Sequence, residues 1–421
     1  MTLKWTRGNA IKLLENGEAY YPAILEAIEA ARQEILIETF ILFEDKVGIA
    51  LKDALVRAGR RGVRVTVTVD DYGSPSFSQA FLDDLADAGV QLLVFDPRPR
   101  AFGFRTNLFR RLHRKIVVVD RAVGFIGGLN FSADHLGDYG PGAKQDYAVE
   151  LRGPIVAELH HAARSTLSPA GESRHAKRFG RRRAAAAARR AADSEPPLAQ
   201  AGDADVALVL RDNDRHRTDI EKQYRMAIRL AQREIIIANA YFLPGYRFLR
   251  DLRRAAKRGV KVRLILQGEP DMPWVRETSK VLYDYLLKAG VEIHEYCERP
   301  LHGKVAVVDD EWSTVGSSNL DPLSLSLNLE ANVVIHDRAF SMELRDQLSQ
   351  LMHRHCQLAQ RSSSTLTRYW RLGLGWLMFH FLRRFPAIAG WLPAHRPALR
   401  SAQQLHHVAT PVVEENEQRA T

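Results

Sequence analysis

The sequence predicts an α/β protein of two similar lobes, each a mixed β-sheet flanked by helices, and three observations carry that prediction. Helical patterns alternate with short β-rich runs along most of the chain. The sequence repeats itself: Ala31-Arg32-Gln33-Glu34-Ile35-Leu36-Ile37 returns as Ala231-Gln232-Arg233-Glu234-Ile235-Ile236-Ile237, an offset of 231 − 31 = 200. A length of 421 residues suits two domains with extensions.

Each half is predicted to run helix, strand, helix, strand, helix, strand, and then a further strand that carries the chemistry. The first helix is expected over 18–32, with Pro22 near its start and Ile24, Leu25 and Ile28 on one apolar face. The repeat continues as Arg61-Gly62-Val63-Arg64-Val65 against Arg258-Gly259-Val260-Lys261-Val262, and as Ala88-Gly89-Val90 against Ala289-Gly290-Val291. The expected plan is a first lobe at 1–164, a linker at 165–202, a second lobe at 203–360, an amphipathic segment at 361–394 and a disordered tail at 395–421.

The strongest repeat is Leu112-His113-Arg114-Lys115-Ile116-Val117-Val118-Val119-Asp120, which returns as Leu301-His302-Gly303-Lys304-Val305-Ala306-Val307-Val308-Asp309. Read as strands, each copy turns its His and Lys to one face, because side chains alternate with period two. Two histidines and two lysines around one point make a poor metal site, since lysine rarely ligates. They make a good phosphate site. One histidine can attack phosphorus while the other protonates the leaving oxygen, and the lysines stabilise the non-bridging oxygens without a metal. Each copy has the same tail, Gly127-Gly128-Leu129-Asn130 and Gly316-Ser317-Ser318-Asn319, with 130 − 113 = 319 − 302 = 17. Those asparagines read either as phosphate donors or as caps after a glycine turn.

These residues resemble the phospholipase D superfamily over about 10–355. The resemblance implies a pseudo-two-fold structure with the active site at the lobe interface. It implies that His113 and His302 are nucleophile and general acid, the motifs being too alike to assign which is which. Lys115 and Lys304 would hold the phosphate, with Asn130 and Asn319 as further donors. Asp120 and Asp309 complete the motif and are expected to tie strand to neighbouring backbone. A downstream acid is expected to orient each histidine: Asp146 for His113 in the first half, Glu330 for His302 in the second.

Within that superfamily, Leu14-Glu15-Asn16-Gly17-Glu18, Glu38-Thr39-Phe40-Ile41-Leu42-Phe43-Glu44-Asp45 and Arg105-Thr106-Asn107-Leu108-Phe109-Arg110-Arg111-Leu112 resemble bacterial cardiolipin synthases of the B type. The implied activity is transfer of a phosphatidyl group from one phosphatidylglycerol to another through a phosphohistidine, with no cofactor. Arg105, Arg110 and Arg111 would hold a second lipid phosphate, or form a surface basic loop. Hydrolysis of phospholipid or nucleic acid shares every residue named, and a non-catalytic membrane scaffold would show decay of a motif, which neither copy does.

Eight of the Lys and Arg residues fall in 174–190 with no acid, so the net charge of +10 would be about 10 − 8 = +2 without them. That run is either a solvated linker or a patch for anionic lipid. It argues against a broad nucleic-acid groove, so no nucleic-acid partner is expected, and the sequence implies no particular obligate protein partner. The N-terminus lacks an apolar signal core, and Cys297 and Cys356 show no pairing pattern. No run of twenty apolar residues is present. The stretch from Tyr369 to Leu392, with Trp370, Trp376, Trp391 and flanking arginines, suits either the headgroup interface or the protein's own core. A peripheral enzyme on the cytoplasmic face of a bacterial membrane, facing anionic phospholipid, is the expectation.

Overall fold

The computed structural model describes residues 3–74, 76–97, 110–167, 198–268, 282–360, 380 and 397–409. Arg105, the basic run at 174–190 and, apart from His380, the segment from Tyr369 to Leu392 lie outside them.

The first lobe contributes β1 (Thr6–Glu15), β2 (Glu34–Thr39), β3 (Arg64–Asp70), β4 (Gln91–Phe95), β5 (Ile116–Val119), β6 (Val123–Gly127) and β7 (Tyr147–Arg152). The second contributes β8 (Ala204–Arg211), β9 (Glu234–Asn239), β10 (Lys261–Gln267), β11 (Glu292–Tyr296), β12 (Lys304–Val308), β13 (Trp312–Gly316) and β14 (Glu330–His336). Outward from β1 the order is β7, β6, β5, β2, β3, β4; outward from β8 it is β14, β13, β12, β9, β10, β11. The two orders are the same with equivalent strands exchanged. The lobes join where β1 pairs antiparallel with its own counterpart β8, as a two-fold relation requires. Within each lobe β2–β3–β4 and β9–β10–β11 are parallel, whereas the motif strands β5 and β12 run antiparallel to β2 and β9.

Local sequence explains the helices. The helix Lys46–Arg60 begins where Asp45 accepts from the Val47 and Gly48 N–H groups, and it buries Val47, Leu51, Ala54, Leu55 and Ala58 at helical spacing. Gly62, at φ +85°, turns the chain out into β3. The first helix runs Asn16–Ala30, two residues earlier than 18–32, because Asn16 is already fixed by Asp146. Neither β1 nor β8 was part of the expected element order. In β1 the alternation is broken by a register shift between Thr6 and Asn9, so its pattern does not read as a strand.

Buried side chains form a core on the outer side of each lobe and one between them. The shared core joins Leu13, Ile116, Val118 and Tyr147 to Leu301, Val305 and Val333, with Leu159 of the helix Ile155–Leu167 and Leu344 and Leu348 of the helix Arg338–His355. Because both motif strands contribute to that core, packing fixes the two half-sites against each other.

The expectation of disorder from 395 onward does not hold for 397–409. β16 (Leu399–Ser401) adds antiparallel to the outer edge of β4, and Ala402 and Leu405 of the helix Ala402–Ala409 pack on the first lobe's core. In the second lobe β15 (Cys356–Leu358) covers β11 in the same way. The outermost strands of the sheet are therefore β15 and β16, each only three residues long, and such short edges offer little template for edge-to-edge association.

Candidate active site

The far end of each motif strand is anchored by its aspartate. Asp120 accepts from the backbone N–H groups of Arg32, Gln33 and Glu34 at 2.7–2.8 Å. Asp309 does the same for Gln232, Arg233 and Glu234 at 2.6–2.8 Å. Both have positive φ, 50° and 55°, a conformation aspartate tolerates better than most residues. These bonds tie the end of each motif strand to the start of β2 or β9.

At the other end, the histidines precede the regular strands and lie in extended segments bonded across the lobe boundary. His113 N–H donates to Leu329 O at 2.9 Å and Leu329 N–H to Arg111 O at 2.8 Å. His302 N–H donates to Gln145 O at 2.8 Å and Gln145 N–H to Pro300 O at 2.9 Å. Each histidine is thereby laid beside the residue before the other lobe's acid. The consequence corrects the expected pairing. His113 Nδ1 lies 3.0 Å from Glu330 Oε2, and His302 Nδ1 lies 2.5 Å from Asp146 Oδ2. The acids were expected within their own lobes, where spacing along the chain suggested them; the interlobe bridges exchange them. With each Nδ1–H donating to a carboxylate, each Nε2 keeps its lone pair for chemistry.

Both lysines are buried, and each amine donates to the carbonyl of its own histidine, Lys115 to His113 O at 2.8 Å and Lys304 to His302 O. Burial pulls Lys115 down to about 7, with Lys304 pushing the same way and the carboxylates of Glu330, Asp146 and Asp70 opposing. It pulls Lys304 down to about 8. Burial also lowers His113 to about 4, and holds His302 well below its ordinary value with Lys304, Lys144, Lys115 and His113 adding to the effect. Asp146, fully buried, is raised. Crowded cationic groups whose protons are disfavoured by burial and by one another are stabilised by a neighbouring anion.

Asn130 and Asn319 are both buried beside the site-forming turns. Asn130 Oδ1 accepts from Ile41 N–H at 3.2 Å, and Asn319 Oδ1 is buried without a hydrogen-bond partner among the described residues. Arg111 lies two residues before His113, its guanidinium 3.7 Å from the Tyr72 ring centre and 5.7 Å from that of Phe40. Phe40 in turn sits 4.9 Å from the His113 ring and 5.2 Å from the Lys115 amine. Arg110 holds a positive φ of 69°. Arg105 lies outside the described residues.

Several residues of the site escaped the sequence reading. Ser317 Oγ donates to Glu330 Oε2 at 2.5 Å, and it stood in plain view in the Gly-Ser-Ser-Asn tail. Arg211 is buried with its charge felt by Glu330, and its partnership is visible only from the Glu330↔Arg211 register of β14 with β8. His135 is buried with its ring 5.5 Å from that of His302. Ligating atoms of His135, Asp146 and His302 lie within 4.8 Å of one another. Lys304 and Lys144 both face His302, and its Nδ1 already engages the carboxylate, so the surroundings favour an anion over a cation.

Fold and site together define a two-lobed, phospholipase D-like protein in which each lobe supplies one histidine and one lysine to a shared cluster. A sequence model described as "Cardiolipin synthase, PLD-like domain" matches residues 24–161 and 224–352. "Cardiolipin synthase B" of Escherichia coli (strain K12) is 55% identical over 95% of this chain and 94% of its own. The protein of that name from Salmonella typhimurium (strain LT2) is 53% identical over the same shares. A "Cardiolipin synthase" of Geobacillus sp. is 33% identical over 77% of this chain and 62% of its own. Among solved structures, the phosphatidylserine synthase of Haemophilus influenzae superposes with a TM-score of 0.67 at 14% identity, covering 93% of this chain and 97% of that one. The chain belongs to the cardiolipin synthase family of phospholipase D-like proteins.

Proposed function

We propose that the protein is a phosphatidyltransferase that makes cardiolipin from two phosphatidylglycerol molecules and releases glycerol. The observation that carries the reading is the crossed pair, His113–Glu330 and His302–Asp146, flanking two buried lysines. The names of the close relatives support the substrate class.

The neutral Nε2 of one histidine attacks the phosphorus of the first lipid. The bond from phosphorus to the glycerol oxygen breaks, and the other histidine, protonated, gives its proton to that oxygen. Burial and the neighbouring lysines favour the neutral form of both imidazoles, so the phosphodiester's own negative charge supplies the field that holds the proton on the acid. Lys115 and Lys304 hold the non-bridging oxygens, and Asn130 and Asn319 add amide donors; a flip of the Asn319 amide would present an N–H where an unpaired oxygen now stands. The headgroup hydroxyl of the second lipid then gives its proton back to the acid histidine and attacks phosphorus. The P–N bond breaks, and the enzyme returns to its starting state.

Arg111, stacked on Tyr72 beside Phe40, is the residue best placed to hold the second lipid's phosphate near the reaction centre. Among the described residues no helix is long and apolar enough to cross a membrane. Attachment to the cytoplasmic face through 361–394 and the basic run at 174–190 is the reading the sequence supports.

The test is product analysis with phosphatidylglycerol vesicles and a chelator, beside His113→Ala and His302→Ala. Cardiolipin and free glycerol in equal amounts, lost in both variants, is the expected result. Phosphatidic acid would mean that water takes the phosphatidyl group and the enzyme is a hydrolase. Absence of any lipid product would remove the substrate assignment.

A further inference from the structure

The two half-sites are not equivalent, and the difference lies behind Asp146. Since 302 − 113 = 324 − 135 = 189, the counterpart of His135 in the second lobe is Ser324. Glu330 takes its second side-chain donor from Ser317. The matching position in the first lobe is Gly128, where a Cβ would stand 2.2 Å from Asp146 Oδ1, so no serine fits there. What faces Asp146 Oδ2 instead, at 3.9 Å, is His135 Nδ1, a buried atom with no hydrogen-bond partner among the described residues.

The tautomer of His135 follows from its other nitrogen. Nε2 accepts from the Asn130 backbone N–H at 3.2 Å, and a backbone amide can only donate. The ring proton of neutral His135 is therefore on Nδ1, the nitrogen 3.9 Å from the oxygen that also receives His302 Nδ1–H at 2.5 Å. Burial holds His135 at about 3, so it remains a neutral donor through the working pH range. One carboxylate oxygen is thus faced by two imidazole groups, one hydrogen-bonded at 2.5 Å and one at 3.9 Å, close enough to act only through its dipole.

We propose that His135 is a positioning residue for the reaction centre, acting on His302 through the Asp146 carboxylate that the two rings share. This rests on the two-histidine reading above. When His302 is neutral, the His135 dipole draws part of the carboxylate's charge. When His302 takes up a proton, the carboxylate turns wholly to it. His135 thereby limits how strongly Asp146 favours the protonated form, and it ties that balance to Asn130, whose backbone it holds. The other charged groups facing His302 are His113, Lys115, Lys304 and Lys144, and those facing His135 are Asp134 and Lys144; substitutions at 135 leave all of them in place.

Three variants of the full chain separate the parts. His135→Phe removes both ring nitrogens. His135→Gln keeps an acceptor near Nε2 for Asn130 but loses the Nδ1 donor. His135→Asn keeps a donor at the Nδ1 position. Cardiolipin formation on phosphatidylglycerol vesicles is measured from about pH 5 to pH 9. With the donor lost, Asp146 stabilises the His302 imidazolium more, so the limb of the kcat profile that reports His302 moves to higher pH whichever role that histidine plays. The expected shift is about half a unit or more in the Phe and Gln variants, with kcat reduced and KM little changed, and a wild-type limb in the Asn variant.

Profiles that superimpose after scaling in all three variants, or an Asn variant shifted like the others, would overturn the proposal. If the Phe variant does not fold, as judged by thermal unfolding, the Gln–Asn comparison decides alone. Activity retained by His302→Ala or His113→Ala would instead overturn the two-histidine reading beneath it.

Discussion

At the scale of single residues, the site buries two histidines and two lysines close together. Burial lowers Lys115 to about 7 and Lys304 to about 8, so an anion bound between them is expected to raise both. The sign of the resulting pH dependence is fixed. Below pH 7 both amines are largely protonated and attract a phosphodiester; by pH 9 both are largely neutral. Dibutyl phosphate, a diester that stays singly charged throughout, should bind about tenfold or more weakly at pH 9 than at pH 6.5. Calorimetry in buffers of differing ionisation heat should also show proton uptake at neutral pH; binding independent of pH would contradict the lysine role. The histidines and lysines were legible in the sequence because the motif occurs twice. Their acids were legible as residues but not as partners, because Asp146 and Glu330 reach across the lobe boundary and spacing along the chain carries no record of that.

At the scale of elements, the motif strands β5 and β12 are held by different means at their two ends. One end is clamped within the lobe by Asp120 or Asp309, and the other is bonded to the opposite lobe through Leu329 or Gln145. The residue between His and Lys shows how this local environment differs. Arg114 turns away from the site toward buried Glu38, 3.8 Å away, and Gly303 leaves room for the Tyr147 ring, which a Cβ would approach to 3.1 Å. Asp120→Ala and Asp309→Ala each strand three backbone donors, for an expected loss of about 1–2 kcal/mol of stability. Thermal unfolding should register both, while kcat at low temperature changes little; a large loss of kcat with unchanged stability would place these aspartates in the chemistry. The alternating helices and strands of each lobe were readable from pattern. The central joint was not, because β1 carries a bulge where its apolar pattern breaks.

At the scale of the whole molecule, the internal repeat becomes a single sheet whose halves meet through β1 and β8, and the shared core between the lobes keeps two half-sites in one place. The C-terminal residues 397–409 belong to this architecture, since β16 closes the β4 edge. Cutting the chain before them would mix a folding defect with any loss of membrane binding. Replacing Trp370, Trp376 and Trp391 with serine leaves β16 in place and tests the interface directly. Flotation with anionic vesicles should fall at least several-fold with the melting temperature unchanged. Binding as tight as wild type would assign that segment to the protein's own core.

The central claim is that the phosphatidyl group passes through one of the paired histidines. The measurement is to mix the protein with phosphatidylglycerol labelled in its phosphate, quench in alkaline denaturant and map the labelled peptide. The account predicts an acid-labile, alkali-stable label on a single histidine, His113 or His302, absent when the labelled residue is replaced. Cardiolipin formed under the same conditions at full rate, with no label on either histidine at any time during turnover, would contradict it.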